Sequence, residues 1–96
     1  MAQVLTAIYI KSALPVQIIF GKEVNVDVLE KECRRIGLNI LYRRKELQMT
    51  QEALAKLSGV SRSRISDIER GREVFKISSL MLIAEALDID YRELLK

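Results

Sequence analysis

The sequence predicts a mainly α-helical protein, with five helices preceded by a short N-terminal β-hairpin. Near the N-terminus, β-branched and aromatic residues cluster in two short runs that are typical of strands. After residue 26, apolar residues recur at helical spacing, and serine, threonine and glycine stand where helices usually start and end. We therefore expect an arm over residues 1–26 and one helical domain over residues 27–96.

Composition limits the classes of function. A chain of 96 residues is too short for two ordinary domains, and its 49% of hydrophobic residues can build one core. With one cysteine and no histidine, neither an internal disulfide, a zinc site nor a Cys-His nucleophile can be built, so we expect no metal. The sequence also has no paired acid and base, Gly-rich phosphate loop or activated nucleophile, so we expect no cofactor and no enzyme. We expect no signal peptide or membrane anchor and a cytoplasmic, nucleoid-associated protein, with Cys33 buried in the core.

The predicted hairpin joins a strand over Val4–Ile10 to a strand over Val16–Phe20, and Gly21 closes the second strand. The alternation of apolar and polar residues is only partial in both runs. The segment is therefore either covered on both faces or paired with another chain. We expect it to strengthen a dimer, and packing against its own helical domain is the alternative.

The first helix is predicted from a capping box, with Asp27 as the cap and Glu30 three residues later. Apolar residues on one face extend this helix to about Leu47: Leu29, Cys33, Ile36, Ile40 and Leu47. Gly37 interrupts good helix formers. It either permits a close approach by another element or marks the place where two helices meet.

Four shorter helices are predicted from their caps. Thr50 starts the second, which Gly59 ends, and Ser61 starts the third, which Gly71 ends. Ser78 or Ser79 starts the fourth, which runs through Leu87, and a short fifth covers Tyr91–Leu95. In the third helix Ile65 and Ile68 face inward, and polar residues, several of them basic, face outward.

Two short helices joined by a turn that contains glycine are the geometric minimum of a helix-turn-helix. The residues from Thr50 to Gly71 read T-Q-E-A-L-A-K-L-S-G-V-S-R-S-R-I-S-D-I-E-R-G, which resembles the lambda-repressor/Cro-like (Xre-type) family. The resemblance extends from Ile36 to about Leu95. It implies a compact five-helix domain that binds double-stranded DNA as a homodimer.

Two further features concern the position of this chain within that family. Most relatives have a proline shortly after the third helix, where this chain has Phe75, and E-V-F-K-I-S-S-L is similar to the restriction-modification controller proteins. Arg43 stands at a position that is usually apolar, and Gln48 replaces a frequent glycine or asparagine. We expect a local difference where the first helix ends.

The resemblance also implies roles for individual residues. Arg44 and Glu69 are expected to form an ion pair that holds the third helix against the first. Base readout in the major groove is expected from Arg62, Ser63, Ser66 and Asp67. Phosphate contacts are expected from Thr50, Gln51, Arg64, Arg70 and Arg72.

Two of these residues require separate comment. Arg62 is the main candidate for base readout, because an arginine can donate two hydrogen bonds to guanine O6 and N7. Asp67 would repel phosphate, so it either accepts from cytosine N4 or restrains Arg62 or Arg64. We expect the restraining role.

The sequence thus predicts a sequence-specific transcription regulator, acting as a repressor or an activator at an inverted-repeat operator. The main alternative is a module that holds a protein partner through the N-terminal arm. The arginines around the third helix favour DNA.

Overall fold

The computed structural model describes residues 16–19 and 22–96. Two strands, β1 (Val16–Ile19) and β2 (Lys22–Asn25), pair antiparallel with Val16 opposite Asn25. The sequence pattern did not predict β2. The predicted strand Val4–Ile10 lies outside the described residues, so its pairing with Val16–Phe20 stays a prediction.

The remaining residues form five helices, as predicted from the sequence. They are α1 (Val26–Glu46), α2 (Gln51–Ser58), α3 (Arg62–Glu69), α4 (Ile77–Ala86) and α5 (Tyr91–Leu94). The long helix α1 packs on α3 and on α5, while α2 packs on both α3 and α4. In the described part of the chain, no helix is long and apolar enough to cross a membrane.

The start of α1 differs from the prediction, because Asn25 caps the helix and Asp27 does not. The Asn25 side chain accepts hydrogen bonds from the Asp27 nitrogen at 3.0 Å and from the Val28 nitrogen at 3.4 Å. Asparagine and aspartate cap helices about equally well. The earlier start adds Val26, which is buried, to the inner face of α1.

Gly37 lies inside an unbroken α1 and permits a close approach to α3. A Cβ atom built at this glycine would lie 2.2 Å from the carbonyl oxygen of Ile68, well inside van der Waals contact. Of the two explanations left open by the sequence, the close approach is therefore confirmed. Any larger side chain here would push α3 away from α1.

The end of α1 also departs from the prediction. Leu47 was expected to face inward, but it lies just after the helix and is exposed. Gln48 adopts a left-handed conformation with φ of 54°, which reverses the chain toward α2. Glycine and asparagine, which the family resemblance leads us to expect at this position, tolerate positive φ better than glutamine does.

The caps of α2 and α3 are those predicted. The Thr50 hydroxyl accepts from the Ala53 nitrogen at 3.0 Å, and the Ser61 hydroxyl accepts from the Arg64 nitrogen at 3.3 Å. Gly59 follows α2 in the left-handed conformation with φ of 78°. Local sequence therefore determines both ends of α2 and the start of α3.

The start of α4 was predicted wrongly. The helix begins at Ile77, its cap position is Lys76 with no side-chain hydrogen bond, and Ser78 and Ser79 lie inside the first turn. The apolar residues at helical spacing are nevertheless buried: Leu80, Ile83, Ala84 and Leu87. Apolar spacing fixes the rotation of a helix about its axis but leaves its first residue open.

Arg43 caps the other end of α4. Its guanidinium donates to the carbonyl oxygens of Leu87 at 3.1 Å and Asp88 at 3.2 Å, which come just after the helix. A cation at a helix C-terminus satisfies free carbonyl groups and opposes the negative end of the helix dipole. This contact gives Arg43 a structural role at a position where the family resemblance leads us to expect an apolar residue.

One core joins the five helices. Its fully buried side chains include Ile40 from α1, Leu54 from α2, Ile65 and Ile68 from α3, and Leu94 from α5. Phe75 packs against this core from the segment between α3 and α4. Cys33 is buried on α1, as predicted.

Candidate nucleic-acid interface

Helices α2 and α3 pack against each other across the turn that joins them. Val60 in that turn and Ile65 in α3 are buried, and Ala55 of α2 packs against the same core. These apolar contacts fill the angle between the two helices. The opposite side of α3 consequently faces outward.

The inner side of α3 is anchored to α1 by a buried ion pair between Arg44 and Glu69. The Arg44 guanidinium donates from Nε to Glu69 Oε2 at 2.7 Å and from Nη2 to Oε1 at 3.0 Å, and both side chains are less than a tenth exposed. Such a planar two-point contact is the strongest geometry available to an arginine and a carboxylate. The hydrogen bond to Glu69 raises the pKa of Arg44, against the opposing effect of burial.

Two neighbouring groups complete this inner cluster. Arg44 Nη1 donates to the Met49 carbonyl oxygen at 2.8 Å, and Gln51 Nε2 donates to Glu69 Oε1 at 3.0 Å. The Glu69 carboxylate thus receives three hydrogen bonds. Gln51, expected at a phosphate, has its amide nitrogen turned inward here, and the Thr50 hydroxyl is used as the helix cap.

The outer side of α3 presents the residues expected to face the bases. Arg62 and Ser63, in the first turn, are exposed, and Ser66 and Asp67 are half-buried one turn later. All four lie on a helix whose opposite side is occupied by Ile65, Ile68 and the Glu69 carboxylate. The structure therefore brings these polar residues together on one outer surface.

Two arginines on this surface pair with carboxylates that the sequence did not single out. Arg62 Nε donates to Glu52 Oε1 at 2.5 Å, and Arg64 Nε donates to Glu73 Oε1 at 3.0 Å. Asp67 was expected to restrain one of these arginines. That expectation is wrong for the free protein, because both arginines pair instead with acids from outside α3.

Arg70 and Arg72 complete the basic edge of the surface. Both are exposed just after α3, and neither forms an ion pair with any residue that the structure describes. Exposed cations without a partner are available for phosphate, whereas Arg64 would first have to leave Glu73. The expected phosphate contacts thus differ in how readily the free protein could make them.

Glu52 and Glu73 are the residues that sequence reasoning missed. Glu52 stands ten positions before Arg62, on a different helix, so no spacing rule within one helix connects the two. Only the crossing of α2 and α3 brings them together. A helix-turn-helix template applied to every acid in the first turn of α2 would have found the contact.

Residues 40–94 match the model of the helix-turn-helix family HTH_3, more than half of the chain. The chain belongs to this helix-turn-helix family. The match covers α2, α3 and the turn between them, together with all of α4 and α5. It confirms the family expected from the residues between Thr50 and Gly71.

Among solved structures, the chain is similar to the restriction-modification controller protein C.AhdI of Aeromonas hydrophila. The two are 34% identical with a TM-score of 0.65, over 67% of this chain and 97% of that one. The controller protein C.Esp1396I, solved as a tetramer with its natural 35 base-pair operator, is 35% identical, with a TM-score of 0.59 over 67% of this chain and 95% of that one.

The chain is also similar to two curated proteins. The ImmF control region 10 kDa protein of Bacillus phage phi105 is 37% identical over 57 residues, which are 59% of this chain and 63% of the phage protein. The HTH-type transcriptional regulator y4dJ of Sinorhizobium fredii is 36% identical over 59 residues, which are 62% of this chain and 77% of that protein.

Proposed function

We propose that this protein is a sequence-specific transcription regulator that binds double-stranded DNA as a homodimer, with α3 in the major groove of each half of an inverted-repeat operator. One observation carries the proposal. The inner side of α3 is fixed by the Arg44–Glu69 pair, while its first turn exposes Arg62 and Ser63. A rigid helix with polar groups at its outer N-terminal end has the form needed to reach base edges.

Within this proposal, Arg62 reads a guanine, and Ser63, Ser66 and Asp67 contact neighbouring bases. An arginine that donates two hydrogen bonds to guanine O6 and N7 discriminates against other bases by about 1–3 kcal/mol. Asp67 then accepts from a cytosine N4, because the restraining role that sequence reasoning gave it is taken by other acids.

Phosphate contacts come from the edges of the same surface. Arg70 and Arg72 are exposed and ready for this role, and Thr50 and Gln51 lie where the N-terminus of α2 favours an anion. On binding, the Gln51 amide would either keep its hydrogen bond to Glu69 or exchange it for one to a phosphate. Because these contacts release counterions, affinity should fall steeply with salt.

The homodimer is supported by an apolar surface on α4. Ile77, Met81 and Leu82 are each about half exposed there, at 57%, 49% and 48%. Apolar side chains grouped on one helix favour contact with a second copy of the chain. The similar controller protein C.Esp1396I was solved as a tetramer on its operator, which also supports self-association. In a dimer that binds one face of the DNA, the two α3 helices would be roughly 34 Å apart.

The proposal is tested by selecting bound sequences from a random pool of duplexes with the full chain at near-physiological salt. Enrichment of a palindromic site would support both readout and dimeric symmetry. Sedimentation of the protein with the enriched duplex should give two chains per site. If a folded protein enriches no sequence, the proposal is wrong. A site without two-fold symmetry would contradict the homodimer alone.

A further inference from the structure

The contact between Arg62 and Glu52 has a geometry suited to positioning an arginine toward a base. Glu52 lies in the first turn of α2 and Arg62 is the first residue of α3, so two helices hold the two ends of the contact. The carboxylate accepts from Nε of Arg62 at 2.5 Å. Neither terminal nitrogen of Arg62 makes a hydrogen bond with any of the described residues.

This geometry matters because a guanidinium has two edges. One edge carries Nε and one terminal nitrogen, and the end carries both terminal nitrogens. A carboxylate at Nε limits rotation of the side chain and leaves the end free. That end presents two parallel N–H groups, the pattern that matches guanine O6 and N7.

The contact is also too exposed to be explained by stability. Both side chains are nearly two-thirds exposed, at 63% for Arg62 and 65% for Glu52. Exposed pairs of this kind contribute about 0.2–1 kcal/mol to folding, far less than a buried pair. An acid on a DNA-binding surface also repels phosphate, so its presence beside Arg62 needs a different explanation.

We propose that Glu52 is a positioning residue for base recognition: it holds Nε of Arg62 so that the two terminal nitrogens face a guanine. The inference rests on the proposed function, because it needs Arg62 at a base. It assigns to Glu52 the restraining role that sequence reasoning gave to Asp67. Because Glu52 already restricts the Arg62 side chain, that side chain loses less conformational entropy on binding. The negative charge of Glu52 also weakens binding to DNA that has no guanine at this position.

The test compares Glu52→Ala and Glu52→Gln with the wild type on the enriched duplex and on a duplex changed at the base pair that Arg62 reads. Glu52→Ala should raise affinity for both duplexes, because a charge that repels phosphate is lost, but it should lower discrimination between them about three- to fivefold. Glu52→Gln keeps an acceptor oxygen at Nε. It should raise affinity similarly and retain more of the discrimination.

Two controls make the test specific. Glu93→Gln removes the same charge on α5, which packs on α1 and α4, and should leave discrimination unchanged. In an Arg62→Ala background, Glu52→Ala should have no further effect on discrimination, because Glu52 acts through Arg62. Thermal melts of each variant should match the wild type within about 1 kcal/mol.

The possible failures can be told apart. If Glu52→Ala raises affinity for both duplexes by the same factor, Glu52 acts only by repulsion and the inference is overturned. The same holds if Glu52→Ala still lowers discrimination in the Arg62→Ala background. If the wild type enriches no sequence, the proposed function fails first and this inference with it.

Discussion

The inner and outer sides of α3 each carry an arginine–carboxylate pair, and the two pairs are built for different purposes. Arg44 and Glu69 meet at two points, are buried, and receive a further hydrogen bond from Gln51. Arg62 and Glu52 meet at one point and are mostly exposed. The buried two-point contact holds α3 against α1, and the exposed one-point contact leaves the terminal nitrogens of Arg62 available as hydrogen-bond donors. Burial, more than residue type, therefore separates a structural pair from one at a recognition surface.

The largest effect is expected on the inner side. Glu69→Ala leaves the Arg44 guanidinium buried without its carboxylate, which should lower the free energy of unfolding by about 3–5 kcal/mol. Urea unfolding monitored by circular dichroism measures this. Glu73→Ala, which breaks an ion pair that is much less buried, is the matched control and should cost under about 1 kcal/mol. Equal losses in the two variants would contradict the distinction between the sides.

The next effect tests the close approach that places α3. Gly37→Ala puts a methyl group against the Ile68 carbonyl oxygen, so it should destabilise the protein by about 2 kcal/mol despite the better helix propensity of alanine. Lys31→Ala, at an exposed position of the same helix, should change stability by less than about 0.5 kcal/mol. A Gly37→Ala protein as stable as the wild type would show that α1 and α3 can separate without cost.

A smaller effect of opposite sign is expected in the turn after α1. Gln48→Gly relieves a left-handed glutamine just before Met49, whose carbonyl oxygen accepts from Arg44, and should stabilise the protein by about 1 kcal/mol. Lys45→Gly, inside α1, should destabilise it by a similar amount. Thermal melts of both variants compare the two directions. Destabilisation by Gln48→Gly would mean that the turn depends on the glutamine side chain.

The smallest effect on stability is expected on the outer side. Arg62→Ala should change the free energy of unfolding by less than about 1 kcal/mol, because the side chain is exposed and its single ion pair is weak. The measurement is the same urea titration used for Glu69→Ala. A loss above about 2 kcal/mol would place Arg62 in the structural framework and remove the difference between the sides.

Features that depend on residues close together in the chain could be predicted from the sequence, whereas contacts between helices could not. Thr50 and Ser61 cap their helices as expected, because a cap and its target lie within three residues of each other. The start of α4 was missed because Lys76 makes no side-chain cap, whereas Ser78 and Ser79 are of a residue type that often caps helices but lie inside this one. Local patterns identify candidate ends, and packing chooses among them.

In the candidate site, too, some contacts could be predicted from the sequence and others could not. Sequence resemblance alone brought Arg44 together with Glu69, and the structure contains that contact. The partners of Arg62 and Arg64 come from elements ten and nine residues away, and their choice depends on how α2 and the segment after α3 cross the helix. Asp67 was expected to restrain Arg62 or Arg64 because a carboxylate on this surface would otherwise repel phosphate. The packing of these elements instead brings Glu52 to Arg62 and Glu73 to Arg64.

The central claim is that the outer end of α3 reads DNA sequence through Arg62. The direct measurement is the Kd of the Arg62→Ala variant for the selected duplex and for duplexes changed one base pair at a time, at one salt concentration. The control is Arg92→Ala, which removes an exposed arginine on α5. Arg62→Ala should lose discrimination at one base pair in each half-site by about 1–3 kcal/mol, and Arg92→Ala should lose none. If Arg62→Ala weakens binding to every duplex by the same factor, Arg62 contacts phosphate, and the claim is wrong.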